Sequence, residues 1–121
     1  MALNLIQTNA FEITPVLALN AQSGTTYTAA LSDSVNTLVT TSNTSAITIT
    51  IPPNSSVPFP VGSVLNITQL GTGQITVVGG AGVTVVSTGA TTSQPKTRAR
   101  YSGLSAIETS NDNWLILGDV L

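Results

Sequence analysis

Residues 47–86 read ITITIPPNSSVPFPVGSVLNITQLGTGQITVVGGAGVTVV, and this stretch decides the predicted fold. Apolar residues, most of them β-branched, alternate with threonine, and prolines and glycines interrupt the alternation. Such a pattern is typical of short strands that bury one face and are separated by turns. The stretch contains no ionisable side chain. It therefore predicts a scaffold or a contact surface and supplies no acid, base or strong metal ligand.

The composition of the whole chain limits its partners. A chain of 121 residues is expected to form one domain with a core of its own. Charged residues make up 7% of the sequence, against about 25% in a typical soluble domain. Such low charge predicts that other protein copies cover part of the surface. The net charge of −2 argues against a nucleic-acid partner, because phosphate binding needs lysine and arginine.

The sequence offers little material for catalysis. It has no cysteine and no histidine, so thiolate nucleophiles, thiolate metal sites and imidazole bases are excluded. The remaining candidates for paired carboxylate chemistry are Glu12, Asp33, Glu108, Asp112 and Asp119. We expect these five to be turn formers or solvated residues. We therefore predict that the protein is not an enzyme and has no catalytic, cofactor-binding or metal-binding residues.

Residues 1–22, MALNLIQTNAFEITPVLALNAQ, lack both helical periodicity and a long alternation. Pro15 splits their apolar clusters, which fits an extended arm that needs a partner surface. A first edge strand preceded by a frayed end is an equally good interpretation. We divide the chain into an arm, residues 1–22, and a β-sandwich domain, residues 23–121. The arm's candidate interface residues are Leu3, Leu5, Ile6, Phe11, Ile13, Val16 and Leu17.

The rest of the chain reads as eight or nine short strands without a helix. Residues 52–60 are predicted to cross between two sheets, with Phe59 pointing inward. Residues 74–86 read as a hairpin, although strands in different sheets would also fit. A last hairpin is predicted around residues 110–113, and Trp114 is expected in the core rather than as a platform for sugars. The predicted fold is all-β, an antiparallel β-sandwich of jelly-roll type.

The three basic residues of the chain lie in residues 96–101, KTRARY. Lys96, Arg98 and Arg100 are spaced by two, so in a strand they would share one face. Like charges of this kind guard an edge strand against aggregation. They also suit an ion-pair seam with acidic groups of a neighbouring subunit, and we include all three among the candidate interface residues.

The sequence from about residue 23 onward resembles a domain that recurs in structural proteins of tailed bacteriophages, both in capsid decoration proteins and in fibre or spike proteins. The resemblance is carried by TITIPPNSSVPFPVGSVLNITQLGTGQITVVGGAGVTVV at residues 48–86, RARYSG at 98–103 and NDNWLILGDV at 111–120. It implies an all-β fold that works as a trimer or in a larger symmetric assembly. It brings no catalytic residues to this chain.

Fibre proteins usually carry this pattern at one end of a longer polypeptide, whereas here it fills nearly the whole chain behind a short apolar segment. The chain thus looks like a head decoration, or cement, protein. The resemblance implies a homotrimer on the outer surface of the capsid, made in the host cytoplasm, which clamps neighbouring copies of the major capsid protein. No cofactor, nucleic acid or membrane is expected. The alternative is a tail-fibre or receptor-binding module that contacts host glycans.

Overall fold

The computed structural model describes residues 16–88 and 94–121. Within these ranges the chain is nearly all β, as predicted, with a single 3-10 turn at Leu31–Ser34. The strands, numbered in chain order, are β1 Ala18–Gln22, β2 Thr26–Thr28, β3 Thr37–Thr41, β4 Ile47–Ile51, β5 Val64–Gln69, β6 Ile75–Gly79, β7 Thr84–Ser87, β8 Gly103–Ser110 and β9 Asn113–Gly118. No helix in the described residues is long and apolar enough to cross a bilayer.

The strands form two sheets that share one core. The larger sheet has the order β1-β3-β5-β8-β9-β7, and the smaller has the order β2-β4-β6. Strands β1 to β6 alternate between the sheets, and each of β1 to β4 pairs in parallel with the strand two places later. The chain therefore winds through three stacked coils, each with one strand in each sheet. Strands β8 and β9 then continue the larger sheet in antiparallel fashion.

The prediction that the sheets are antiparallel is wrong for the described strands. Of the seven pairings among the described strands, five are parallel, so the sheets are mixed and the jelly-roll arrangement is not confirmed. The hairpin predicted at residues 74–86 is wrong as well. Strand β6 lies at one edge of the smaller sheet and β7 at an edge of the larger one, so the alternative with strands in different sheets is correct. Alternation marks the buried face of a strand but not the direction of its neighbour.

The predicted inward residues do form the core. The isoleucines of β4 are buried and the two threonines between them are half-buried. Residues 52–60 connect β4 to β5 across the sheets, and Phe59 points inward as predicted. Its ring meets Trp114 edge to face at 5.3 Å between ring centroids. Burial of Trp114 confirms its assignment to the core and removes it as a platform for sugars.

The turns of successive coils lie directly on one another. The amides of Gly71 and Gly73 donate to the carbonyl groups of Thr41 and Asn43, at 2.9 and 3.0 Å. A Cβ atom on Gly71 would lie 2.5 Å from the Asn43 oxygen, and one on Gly73 would overlap the carbonyl oxygen of Ser45. These glycines are needed because they allow two backbones to approach closely.

One end of the coil is covered by the chain itself. Residues 94–102 pass over the last coil, where the Val77 amide donates to Pro95 and the Thr97 amide donates to Ile75. The buried Thr97 hydroxyl donates to the Gln69 side chain at 2.5 Å and accepts the Ile75 amide at 2.9 Å. These bonds satisfy polar groups that the last coil would otherwise leave unpaired.

Replacing Gly73 by alanine tests the stacking of the turns. We expect Gly73→Ala to lower the free energy of unfolding by more than about 1 kcal/mol, because the methyl group overlaps backbone that cannot move alone. Gly24→Ala is the matched control, since the nearest atom to its added methyl group lies 3.8 Å away. It should change stability by no more than about 0.5 kcal/mol in urea denaturation. Equal effects of the two substitutions would contradict the stacking.

Candidate functional site

The outer face of the larger sheet carries aliphatic side chains in two rows. Cross-strand register places Leu19, Leu38, Asn66, Ser105 and Leu117 in one row. The second row is entirely aliphatic and contains Val64, Ile107, Leu115 and Val86. We call these two rows the apolar face.

Several members of the apolar face are open to solvent. Leu19 is 69% exposed, Val86 51% and Leu117 47%. Among the strand residues of this sheet the one charged side chain is Glu108, and it points inward. A shallow groove of ≈330 Å³ lies on this face. It is bordered by Leu17, Leu38 and Leu117 and also by the polar Asn66, Thr68 and Ser105. Exposed aliphatic area without charge favours contact with another protein surface.

The outer face of the smaller sheet is different in composition. Thr26, Thr48 and Thr76 form one row across its three strands. Thr28, Thr50 and Val78 form the next row. We call this the threonine face. Its hydroxyl groups hydrogen-bond to water, so it has no comparable need of a partner.

The predicted arm residues fall into two groups. Leu3, Leu5, Ile6, Phe11 and Ile13 lie outside the described residues, so their assignment to an interface stays a prediction. Val16 is 86% exposed and Leu17 borders the groove on the apolar face. Residues 18–22 form edge strand β1, which pairs with β3. Residues 18–22 of the predicted arm therefore belong to the larger sheet, which agrees with the alternative interpretation of a first edge strand.

The predicted basic stripe is not a strand with three charges on one face. Lys96 forms an isolated bridge with Thr76, and the chain then turns through residues 98–101. Arg98 makes an ion pair with Asp119 of the same chain, at 2.7 and 2.8 Å to its two oxygens. The Nε of Arg100 donates to the Leu70 carbonyl at 2.9 Å, and its guanidinium lies 4.8 Å from the centre of the Tyr101 ring.

The Arg98–Asp119 pair ties residues 94–102 to the end of β9. Arg98 and a hydrogen bond from Ser102 hold the pKa of Asp119 below its usual value, and Asp119 raises the pKa of Arg98. Both groups are exposed, so salt and solvent weaken their attraction. Arg98 thus has an ion-pair partner within its own chain. Contact of Lys96, Arg98 and Arg100 with another subunit stays a prediction.

Two of the acidic residues are buried, contrary to the expectation that all would be turn formers or solvated. Glu108 is 1% exposed; Oε2 accepts the Asp112 amide at 3.1 Å, and Oε1 has no partner among the described residues. Asp112 itself lies in the predicted last hairpin, which is confirmed. Glu12 lies outside the described residues.

Asp33 anchors a polar cluster beside β1. Its carboxylate accepts the Ala30 amide at 2.8 Å, the Tyr27 hydroxyl at 2.5 Å and the Asn20 side chain at 2.8 Å. Burial raises the pKa of Tyr27 to about 12, and the hydrogen bond to Asp33 and its negative charge add to the rise. The cluster fixes the 3-10 turn between β2 and β3, so its role is structural.

The apolar face as a unit was not predicted from the sequence. Its members lie on six strands, and their common face depends on register that the sequence does not state. A signal was present in β8 and β9, where aliphatic residues occupy both faces rather than one. The burial of Asp33 gave no comparable signal, since its flanking serines are typical of a turn.

The side chains that bind metal ions in proteins are mainly those of acidic residues, histidine and cysteine. Residues 16–88 and 94–121 contain no group of three or more acidic, histidine or cysteine side chains that could hold a metal ion. No protein-family model matches the chain, and the curated proteins include no similar sequence at a significant level.

Titration of Tyr27 tests the polar cluster beside β1. The folded protein keeps a proton that an unfolded tyrosine releases near its ordinary pKa of 10.0. This contribution to stability is therefore present below pH 10 and is lost as the pH rises towards about 12. We expect tyrosinate absorbance to show a late step near pH 12 that Tyr27→Phe removes and Tyr101→Phe retains. A late step that survives Tyr27→Phe would contradict the assignment.

Proposed function

We propose that this protein is a structural attachment module of a phage virion, specifically a head decoration protein. In this proposal three copies associate on the outer capsid surface and clamp neighbouring copies of the major capsid protein. The two-sheet body acts as a rigid, non-catalytic support. The resemblance of residues 48–86, 98–103 and 111–120 to phage structural domains supplies the virion context.

The observation that carries the proposal is the apolar face. Its row of Val64, Ile107, Leu115 and Val86 is aliphatic throughout, and the face has no outward charge. Burying such a surface is favourable by roughly 25 cal/mol per Å² of apolar area, before the cost of association is subtracted. The threonine face on the other side of the core lacks this driving force. The apolar face is therefore the better side for docking on the shell.

Attachment through three copies makes weak contacts sufficient. When one copy of a trimer is bound, the other two meet their sites at a high effective concentration. The half-buried Lys96 and the exposed Arg100 would add contacts that fix orientation. Threefold symmetry would let the same contact be repeated on three capsid subunits.

A lysine at Leu117 tests whether the apolar face binds the shell. We expect Leu117→Lys to weaken binding to mature heads that lack this protein by about tenfold or more, because a charge would be buried in the contact. Thr48→Lys on the threonine face is the matched control and should bind as the wild type does. Occupancy is measured by cosedimentation, and circular dichroism checks that both variants fold. Equal binding of the two variants would remove the apolar face from the mechanism.

The second candidate is a tail-fibre or receptor-binding module, and Tyr101 is the observation that favours it. Its ring is 66% exposed and lies beside the Arg100 guanidinium. An exposed aromatic ring with a neighbouring donor is suited to stacking against a sugar.

Copy number separates the two candidates. Decoration predicts on the order of hundreds of copies per virion, because the contact repeats with capsid symmetry, whereas a fibre tip predicts tens or fewer. Quantitative mass spectrometry of purified virions gives the number. A low count, with loss of host glycan binding in Tyr101→Ala but not in Tyr27→Phe, would replace the first proposal by the second.

A further inference from the structure

The two ends of the coil differ. Residues 94–102 cover the end at β6, whereas β1 and β2 are the outermost strands of their sheets at the other end. Ala18 donates to the Asn36 carbonyl and Gln22 accepts from the Ser42 amide, so these residues face β3. In a parallel pair the intervening residues, Leu19 and Ala21, point their N–H and C=O groups away from that neighbour. We call the edges of β1 and β2 together the open end.

Among the described residues, the strands of the open end lack the usual protection of a sheet edge. Natural edges carry charged residues, prolines or bulges that prevent a further strand from pairing. Strands β1 and β2 read ALNAQ and TYT and contain neither charge nor proline. Asp33 lies close by but is buried in its hydrogen-bonded cluster. Stacked-repeat proteins need a terminal layer to cover such an end.

The N-terminal sequence has the pattern of a coil layer. Residues 2–14 read ALNLIQTNAFEIT, and residues 64–76, which form β5, its turn and the start of β6, read VLNITQLGTGQIT. Without a gap, five of the thirteen positions are identical. The spacing between Gln7 and Ile13 equals the spacing between Gln69 and Ile75. In the preceding coil, Thr41 and Ile47 have the same spacing.

The repeat also fixes a register. Gln22, Thr41 and Gln69 form one stack in the larger sheet, so Gln7 would join it beside Gln22. Leu3 and Leu5 would then fall on the inward side, and Ile13 would lie beside Thr25, in line with the buried Ile47 and Ile75. Asn9 and Phe11 correspond to Gly71 and Gly73, which must be glycine because a preceding turn lies against them. An outermost layer has no preceding turn, so side chains fit there.

The segment cannot reach this place on its own chain. The Val16 carbonyl accepts from the Asn36 side chain at 3.0 Å, which holds Val16 beside the start of β3 in the larger sheet. The register would place Thr14 beside Thr26 in the smaller sheet. Packed sheets are about 10 Å apart, whereas two residues span at most about 7 Å. In this register the layer would therefore come from another molecule.

We propose that residues 2–14 of a second copy of this chain add a strand to β1 and a strand to β2, and so close the open end. The contact gives the self-association part of the proposed function a defined site, and it does not depend on the virion part. Main-chain hydrogen bonds along the two edges provide affinity, and the inward Leu3, Leu5 and Ile13 provide register.

Cysteine pairing between two separately purified variants tests the exchange. The wild-type chain has no cysteine, so Asn4→Cys in one preparation and Leu19→Cys in another are the sole thiols. In the proposed register these positions are neighbours on adjacent strands, at about 4.8 Å between Cα atoms, within the range of a disulfide. We expect the mixed, full-length variants to form a disulfide-linked heterodimer under mild oxidation, at least about tenfold faster than the control pair. The control pairs Asn4→Cys with Val86→Cys, which is exposed on the same face at the far edge of the sheet.

The possible outcomes distinguish a failure of the strand exchange from a failure of the proposed function. If the Asn4→Cys and Leu19→Cys pair forms no more heterodimer than the control pair with Val86→Cys, the exchange is overturned. Self-association by another contact is still supported in that case if light scattering shows an oligomer. A further variant carries both Asn4→Cys and Leu19→Cys in one chain. If its two thiols are lost on oxidation without linking two chains, the segment docks on its own chain, and the exchange is overturned. Rapid heterodimer formation by a protein that is absent from virions supports the contact and overturns the decoration function.

Discussion

The stacking of one turn on the next is the constraint on which the rest of the structure depends. Hydrogen bonds from the amides of Gly71 and Gly73 hold residues 70–74 against the turn of the preceding coil. Because the two turns lie in register, the strands that leave them are in register too. Between the second and third coils, partners are 28 residues apart in both sheets, as in the pairs Leu38 with Asn66 and Ile47 with Ile75. A side chain at Gly73 would separate the turns and disturb both sheets together.

This register also produces two outer faces of different character around one core. Parallel coils repeat the same residue position across a sheet, so Thr48, which faces outward in β4, has Thr26 of β2 and Thr76 of β6 beside it. The larger sheet gains two antiparallel strands, β8 and β9, which contribute Ile107, Leu115 and Leu117 to its outer side. The hydroxyl groups of the threonine face can therefore hydrogen-bond to water, whereas the apolar face retains exposed aliphatic area that only contact with another surface can bury.

The sequence predicted what depends on local pattern and missed what depends on pairing. Alternation correctly marked the inward residues of β4, and proline spacing correctly placed the crossing loop with Phe59 inside. Parallel and antiparallel strands show the same alternation when one face is buried, so the direction of pairing could not be read from it. Glycines at 71 and 73 marked a turn without showing which backbone lies against it. The spacing of Lys96, Arg98 and Arg100 suggested a strand, whereas the chain turns there because residues 94–102 must pass over the end of the coil.

The open end explains how a domain of this kind could form a closed assembly of limited size. Each copy has one open end and one segment with the sequence of a coil layer, so donor and acceptor surfaces are different and the proposed contact is heterologous. Heterologous contacts form a ring when the rotation between copies closes, and a filament when it does not. A ring of three would use every segment and every open end and leave no unpaired edge on that side. Such a ring would still present three apolar faces, because those faces lie on the sheet surface and the exchange uses its edge. Self-association and attachment to a shell would then use separate surfaces of the same small fold.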